Sequence, residues 1–355
     1  MIDTIALIMP ERSFEIMHPE AFTPHAGTAR NGAKCVLNKP INGAKGYFPR
    51  LTLGYYNMVS GYDVGLKVEF SAPKLCFGNN YEELSNGDYD HFVGCLYCRL
   101  ADMGIKVEKA YLSNAEVIKI HYGKNILLDI PARFIIEKLA KLDVSKRIRS
   151  TKVNYANEGE QVTYQTKNFG LTFYDKAKEL QKDKFTGVPR GQDILRIELR
   201  LNTKGEINKR SAEVEFDLKS TCLRGLFDMN IARRLLLRSW DVYIAPSQNI
   251  IALMEEEPSL LLHSIKSAGF KDARAMQIAA FAMIVEASSV RSFKEQLSKN
   301  SNYYARLKKD IDKIELRGGL IYRSFVCIRK DLVEQEKPLA KPLGNPCRGF
   351  RNESI

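Results

Sequence analysis

Apolar residues recur at every second position in four stretches of the chain, the spacing that puts one strand face in a core. Val64, Leu66, Val68 and Phe70 share a face, with Glu69 opposite. Ile118, Ile120 and Tyr122 share the next, opposite Lys119 and His121. Leu171 and Phe173 lie opposite Thr172, Tyr174 and Lys176, and Leu195, Ile197, Leu199 and Leu201 lie opposite Arg196, Glu198 and Arg200. The opening run, MIDTIALIMP, has no basic start and is interrupted by Asp3, so it reads as a first strand rather than a signal peptide. Helical spacing replaces the two-residue period at Phe92, Leu96, Leu100 and Met103, within His91 to Met103. It returns at Phe134, Ile135, Leu139 and Leu142, a helix expected to begin at Pro131, a favoured first helical position. Tyr155 to Lys176 reads as a hairpin, with turn residues Asn157, Glu158 and Gly159 and a second tight turn near Asn168.

These elements predict an α+β fold: helices cover the apolar face of a largely antiparallel sheet, and the other face is left open. That open face collects Glu69, His121, Tyr174, Lys176, Arg196 and Glu198. A polar strand face is solvated by default, so polarity alone does not mark a site. From about Leu218 the pattern turns helical, giving expected domains at 1–217 and 218–336 and a disordered basic tail at 337–355, where Pro338, Pro342 and Pro346 fall. Ala273 to Glu286, a break at Ser288 and Ser289, the segment Val290 to Leu297, and Asn300 to Ile314 have the outline of a helix-turn-helix reader. A helical bundle with a solvated basic face fits the same outline.

Charge narrows the partners. Among 355 residues, Lys and Arg outnumber Asp and Glu by 54 to 42, a net charge of +12, which favours a polyanionic partner, nucleic acid or an anionic membrane. The longest apolar stretches, such as Ile278 to Val285, are too short to span a bilayer, so a cytoplasmic protein with no membrane partner is expected. The seven cysteines are an odd, scattered set that argues against a disulfide framework. Cys95 and Cys98 form one CxxC with no second at zinc-ribbon spacing, and they are expected to pack as small hydrophobes, with a metal or redox role as the alternative.

The polar strand positions supply the parts needed to transfer a phosphodiester end to a tyrosine. Such a reaction needs a phenol, a divalent metal on carboxylate or imidazole ligands, and cations to hold the phosphate. Tyr174 is the candidate nucleophile with Lys176 beside it; Glu198, His121 and Glu69 are the candidate ligands for Mg²⁺ or Mn²⁺. Arg196, Arg200 and Lys119 form the nearby cationic set. Lys146, Arg147, Arg149 and Lys152, with Lys182, Lys184 and Arg190, are a candidate DNA track, or else a solvated loop pair. Asn302, Tyr303, Arg306, Lys308 and Lys309 suit phosphates and base edges.

Tyr174-Asp175-Lys176-Ala177-Lys178-Glu179-Leu180-Gln181 resembles the Y-x-K-x-x-E-L-Q element of the filamentous-phage gene II/X replication proteins. Leu195-Arg196-Ile197-Glu198 is similar to the R-x-E strand that follows it there, and Val68 to Lys74 resembles the family's V-E-x-x-A-S-P-A-K region with a slip of about a residue. Met1-Ile2-Asp3 and VIKIHYGKN, Val117 to Asn125, are also similar, so the resemblance covers roughly residues 1 to 205 in order. It implies a relaxase-like endonuclease domain in a rolling-circle initiator that nicks double-stranded origin DNA. Tyr174 would be left on the 5′ phosphate and a 3′ hydroxyl would be freed for polymerase, with host helicase and polymerase as partners on the nicked strand. It also implies Glu198 as a metal ligand. Where the family has an aspartate on its second strand this chain has His121, and no His-x-His pair of the wider relaxase-type initiators is present.

The competing expectation is a sequence-specific DNA-binding protein without catalysis, resting on the charge and the helical segment. A tyrosine recombinase is a weaker third, since no Arg and His set accompanies Tyr303, Tyr304 or Tyr322.

Overall fold

The computed structural model describes residues 2–24, 34–58, 61–144, 148–155, 159–182, 191–216, 221–296 and 301–334. The opening apolar run is strand β1 (Ile2–Pro10), which ends at a proline that cannot donate to a ladder. Short strands β2 (Phe14–Ile16), β3 (Thr23–Pro24) and β4 (Cys35–Leu37) lead to the long pair β5 (Arg50–Met58) and β6 (Gly61–Ser71). Helix α1 (Ala72–Phe77) has proline in its first turn and stops at Gly78, whose φ of 73° suits a residue without a Cβ. Then come α2 (Tyr89–Asp102), β7 (Ile105–Val107), α3 (Lys109–Asn114), β8 (Glu116–Leu128) and α4 (Ala132–Lys141). Pro131 caps α4 from outside, in an extended-ψ conformation, rather than filling its first helical position. Strands β9 (Arg149–Tyr155), β10 (Gly159–Gln165) and β11 (Phe169–Asp175) precede α5 (Lys176–Lys182) and β12 (Asp193–Leu201).

The rest is helical: α6 (Lys204–Glu213), α7 (Leu223–Leu226), α8 (Met229–Tyr243), α9 (Gln248–Glu255), α10 (Pro258–Ser267), α11 (Asp272–Ala287), α12 (Val290–Gln296), α13 (Ser301–Ile311) and α14 (Leu320–Glu334). The fold is α+β with a large antiparallel sheet and helices, as the alternation predicts. The expected hairpin is present as paired β10 and β11, closed by Thr166 N–H donating to the Phe169 carbonyl at 2.8 Å. Asn157 and Glu158 lie outside the described residues, as does the tail from 337. Among the described residues no single helix is long and apolar enough to cross a membrane.

Two compact units divide the chain. Unit 1 holds Met1–Lys124 and Glu198–Leu235; unit 2 holds Asn125–Ile197 and Leu236–Gln335. The limits fall inside β8, β12 and α8.

In unit 1 the strand order is β3-β4-β5-β6-β1-β8-β12, and β2 pairs with β7 separately. Leu66, Val68 and Phe70 of β6 and Ile120 and Tyr122 of β8 are buried on the apolar face. Phe70 meets Phe92 of α2 at 5.9 Å between ring centroids, Phe92 stacks on Phe227 at 5.1 Å, and the Tyr122 hydroxyl donates to the Leu226 carbonyl at 3.0 Å. Burial of each such ring stabilises the fold by about 1.5–3 kcal/mol. Ile118 departs from the expected alternation. Ala6 pairs with Lys119 but Leu7 pairs with Val117, a bulge that leaves Ile118 half-buried and gives its core position to Val117. Past the bulge the alternation resumes with Lys119 and His121 on the polar side.

In unit 2 the order is β8-β12-β11-β10-β9, and α4 packs on β9, β10 and β11. The Tyr164 hydroxyl donates to the Leu139 carbonyl, and Phe173 meets Trp240, which meets Phe325, at 6.2 and 5.8 Å. Asp143 takes Arg291 at 3.1 Å and Lys294 at 2.9 Å, tying α12 to the segment after α4. Phe281 of α11 stands edge-on to Phe293 of α12 at 4.8 Å, and the two helices turn by 116° at Ser288 and Ser289.

Candidate functional site

In unit 1 the polar sheet face is built by register. Ala6 of β1 pairs with Glu69 on one side and Lys119 on the other, so a side chain of one carbon separates them. Lys119 Nζ reaches across it to Glu69 Oε1 at 2.7 Å, and Lys67 Nζ binds Oε2 at 2.6 Å. Burial pushes the Glu69 carboxyl up, but the hydrogen bonds and charges of Lys119 and Lys67 outweigh it and hold the group at about 2.

Further along β8, His121 is buried at 8% exposure and meets two oxygens. Its Nδ1 lies 3.1 Å from Glu198 Oε1 and its Nε2 lies 3.1 Å from Asn202 Oδ1. Glu198, 4% exposed, accepts from Arg200 Nε on the same oxygen at 2.8 Å. A carboxylate on one imidazole nitrogen fixes the ring and the tautomer, leaving the other nitrogen to act as a ligand or base. With the proton on Nδ1, the Asn202 amide satisfies Nε2 once its oxygen and nitrogen are exchanged, two atoms that heavy-atom positions do not distinguish. Glu198 is therefore placed to orient His121 as well as to carry charge. The carboxylate oxygens suit Mg²⁺ or Mn²⁺, while the imidazole nitrogen suits softer divalent metals such as Zn²⁺. Glu69 does not complete that set. Among the described residues, Glu69, His121 and Glu198 are not a group with ligand atoms all within 4.8 Å of one another. Asn202, one residue past β12, is the member that sequence reasoning missed; nothing in the alternation marks a residue beyond the strand end.

In unit 2 the expected open face is closed. Every residue of β11 is buried, Tyr174 is 7% exposed, and Lys176 and Arg196 are 0% and 2% exposed. These polar groups are covered and pair with one another. Thr172 Oγ1 and Thr163 Oγ1 are 3.2 Å apart, Arg196 Nη1 donates to Asn125 Oδ1 at 3.0 Å, and Lys176 binds Glu179. The Lys176 ammonium lies 5.7 Å from the Tyr174 ring centroid. The alternation reads correctly as two faces, but it carries no information about whether a second layer covers the polar one. Buried polar groups are mostly hydrogen-bonded, and the contacts above satisfy several here, although the Arg196 Nε atom makes no hydrogen bond.

Of the residues expected to meet DNA, Lys146 and Arg147 lie outside the described residues, as do Lys184 and Arg190 and the side chain of Lys182. Arg149 and Lys152 of β9 are exposed, with Lys152 paired to Glu160 at 3.1 Å. On α13, Asn302, Arg306 and Lys309 are exposed, while burial draws the Lys308 ammonium down. Arg306 and Lys309 line a cleft of about 520 Å³ with Arg274, Tyr303, Asp310 and Lys313. Arg274 is fixed there by two bonds to Asp310 at 2.8 and 3.0 Å, so the cleft holds four cations against one carboxylate. No protein-family model matches the chain, and no curated protein matches it.

Proposed function

We propose that this chain is a rolling-circle replication initiator that binds origin DNA and nicks one strand. The carrying observation is the His121 imidazole held by Glu198, on a sheet face where Lys67, Lys119 and Arg200 also stand. Such a pair presents an oriented nitrogen, and the cations attract and hold a phosphate. Once the Nδ1 proton between them is released, His121 and Glu198 would hold Mg²⁺ or Mn²⁺, which would polarise the scissile phosphodiester. Tyr174 is the proposed nucleophile on the strength of its Y-x-K element: its oxygen bonds to the phosphorus, the 3′ oxygen leaves, and a proton moves to that oxygen. Lys and Arg displace counterions as DNA binds, so affinity should fall steeply with salt.

A second reading, DNA binding without strand cleavage, is favoured by the burial of Tyr174 and Lys176, because an enclosed phenol meets a phosphate only after its cover moves. The deciding experiment incubates the full chain with supercoiled DNA of its own replicon and Mg²⁺ or Mn²⁺. Nicking is read on gels and the protein–DNA adduct after denaturation. The nicking reading expects an adduct from the unmodified chain, none from Tyr174→Phe, and loss of nicking in His121→Ala, with DNA binding kept in both. Binding without any adduct under either metal would leave the second reading standing; normal nicking by Tyr174→Phe would remove Tyr174 as nucleophile.

A further inference from the structure

Away from the polar sheet face, unit 1 gathers two thiols and an imidazole. Cys76 of α1 and His91 and Cys95 of α2 bring one ligand atom each to within 4.8 Å of one another, and His91 Nε2 lies 3.5 Å from Cys95 Sγ. Cys76 is 1% exposed and Cys95 8%. Neither is in a disulfide. His91 and Cys95 are four residues apart and so face the same way on α2. Cys76, fifteen positions earlier in the chain, arrives only because α1 packs against α2.

We propose that Cys76, His91 and Cys95 form a zinc site whose fourth position is taken by water. Tetrahedral zinc with Zn–S of about 2.3 Å and Zn–N of about 2.0 Å puts neighbouring ligand atoms roughly 3.5–3.8 Å apart. The imidazole–thiol contact already has that spacing, and the third ligand needs to move by only about an ångström. Soft thiolates select zinc over the hard cations that the carboxylate–imidazole pair would take. The charge balance favours burial. Two thiolates and one imidazole neutralise Zn²⁺, and the two thiol protons are released to solvent as the metal binds. Cys98 lies one turn further along α2 but is not in the group, so it serves as an internal control. The consequence for the fold is local. α1 has six residues, too few to be stable alone, and follows directly on β6, the strand that carries Glu69. Zinc would clamp it to α2. This site is independent of the nicking proposal, and its test involves no DNA.

The full chain, purified without chelator, is assayed for metal by plasma emission, then stripped of metal with a chelator, dialysed and titrated with Co²⁺. The expected result is about one zinc per chain and a thiolate-to-cobalt charge-transfer band at saturation. Metal affinity should fall by about tenfold or more in Cys76→Ser and in Cys95→Ser and stay unchanged in Cys98→Ser. Because buried thiols can be needed for packing, His91→Gln is the companion variant. It changes a half-buried ring, should keep the far-ultraviolet circular dichroism of the parent, and should still lose the affinity. A chelator should lower the melting temperature of the parent and leave that of His91→Gln unmoved. Absence of the charge-transfer band in the unmodified chain, or full affinity in a folded Cys76→Ser or His91→Gln, overturns the site; loss of metal in Cys98→Ser overturns the three-residue ligand set.

Discussion

Lys124 lies at the end of the β8 segment in unit 1, with its ammonium 2.7 Å from Glu83 Oε2, and the two side chains are 3% and 4% exposed. Replacing Lys124 by Met keeps most of the volume and removes the charge, so the Glu83 carboxylate stays buried without its cation. Breaking one side of a buried ion pair costs about 3–5 kcal/mol, because the remaining charge has lost its compensation but not its desolvation. Glu83 has further interactions, which place the expected loss toward the lower end. Removing both charges together, as Lys124→Met with Glu83→Leu, should recover most of it, since an apolar pair of similar volume is often as stable as the ions. Thermal unfolding followed by far-ultraviolet circular dichroism measures both. At roughly 2–4 °C per kcal/mol, a loss of about 3 kcal/mol should make the single variant melt about 6–12 °C lower than the parent. A single variant within 1 °C of the parent, or a double variant no better than the single, would refute the reasoning, because then the buried carboxylate is not relying on Lys124.

The Glu69 carboxyl titrates at about 2 against an ordinary 4.5, so its pairing with Lys119 and Lys67 contributes stability that is complete above about 4.5 and is lost as the pH falls through about 2. The stability gap between the parent and Glu69→Gln should therefore be about 1–2 kcal/mol at neutral pH after allowance for solvent screening, and should close on acidification; a gap independent of pH would count against the pairing. Reversing charge on α13, as Arg306→Glu with Lys309→Glu, should weaken DNA binding and flatten its dependence on salt by about two phosphate contacts, read by fluorescence anisotropy across a salt series. An unchanged salt slope would remove α13 from the interface.

The two-residue alternation at Val64–Phe70, Leu171–Phe173 and Leu195–Leu201 was enough to place β6, β11 and β12 in a sheet, and the helical spacing was enough for α2 and α4, because each pattern is local and recurs along one element. The sequence also marked His121 and Glu198 as opposite in kind to their apolar neighbours. What it did not contain is which strands adjoin. That His121 meets Glu198, and that Lys119 crosses Ala6 to reach Glu69, depends on β1 and β12 flanking β8, a long-range register that no local period encodes. The bulge at Ile118 arises in the same way, from pairing with β1 rather than from the β8 sequence. Burial of Tyr174, Lys176 and Arg196 is the sharpest case. A polar face reads the same whether water or another layer lies against it, so only the packed structure decided that this one is covered. The Cys76, His91 and Cys95 cluster likewise joins residues of two helices, and only their packing brings the thiols to one imidazole.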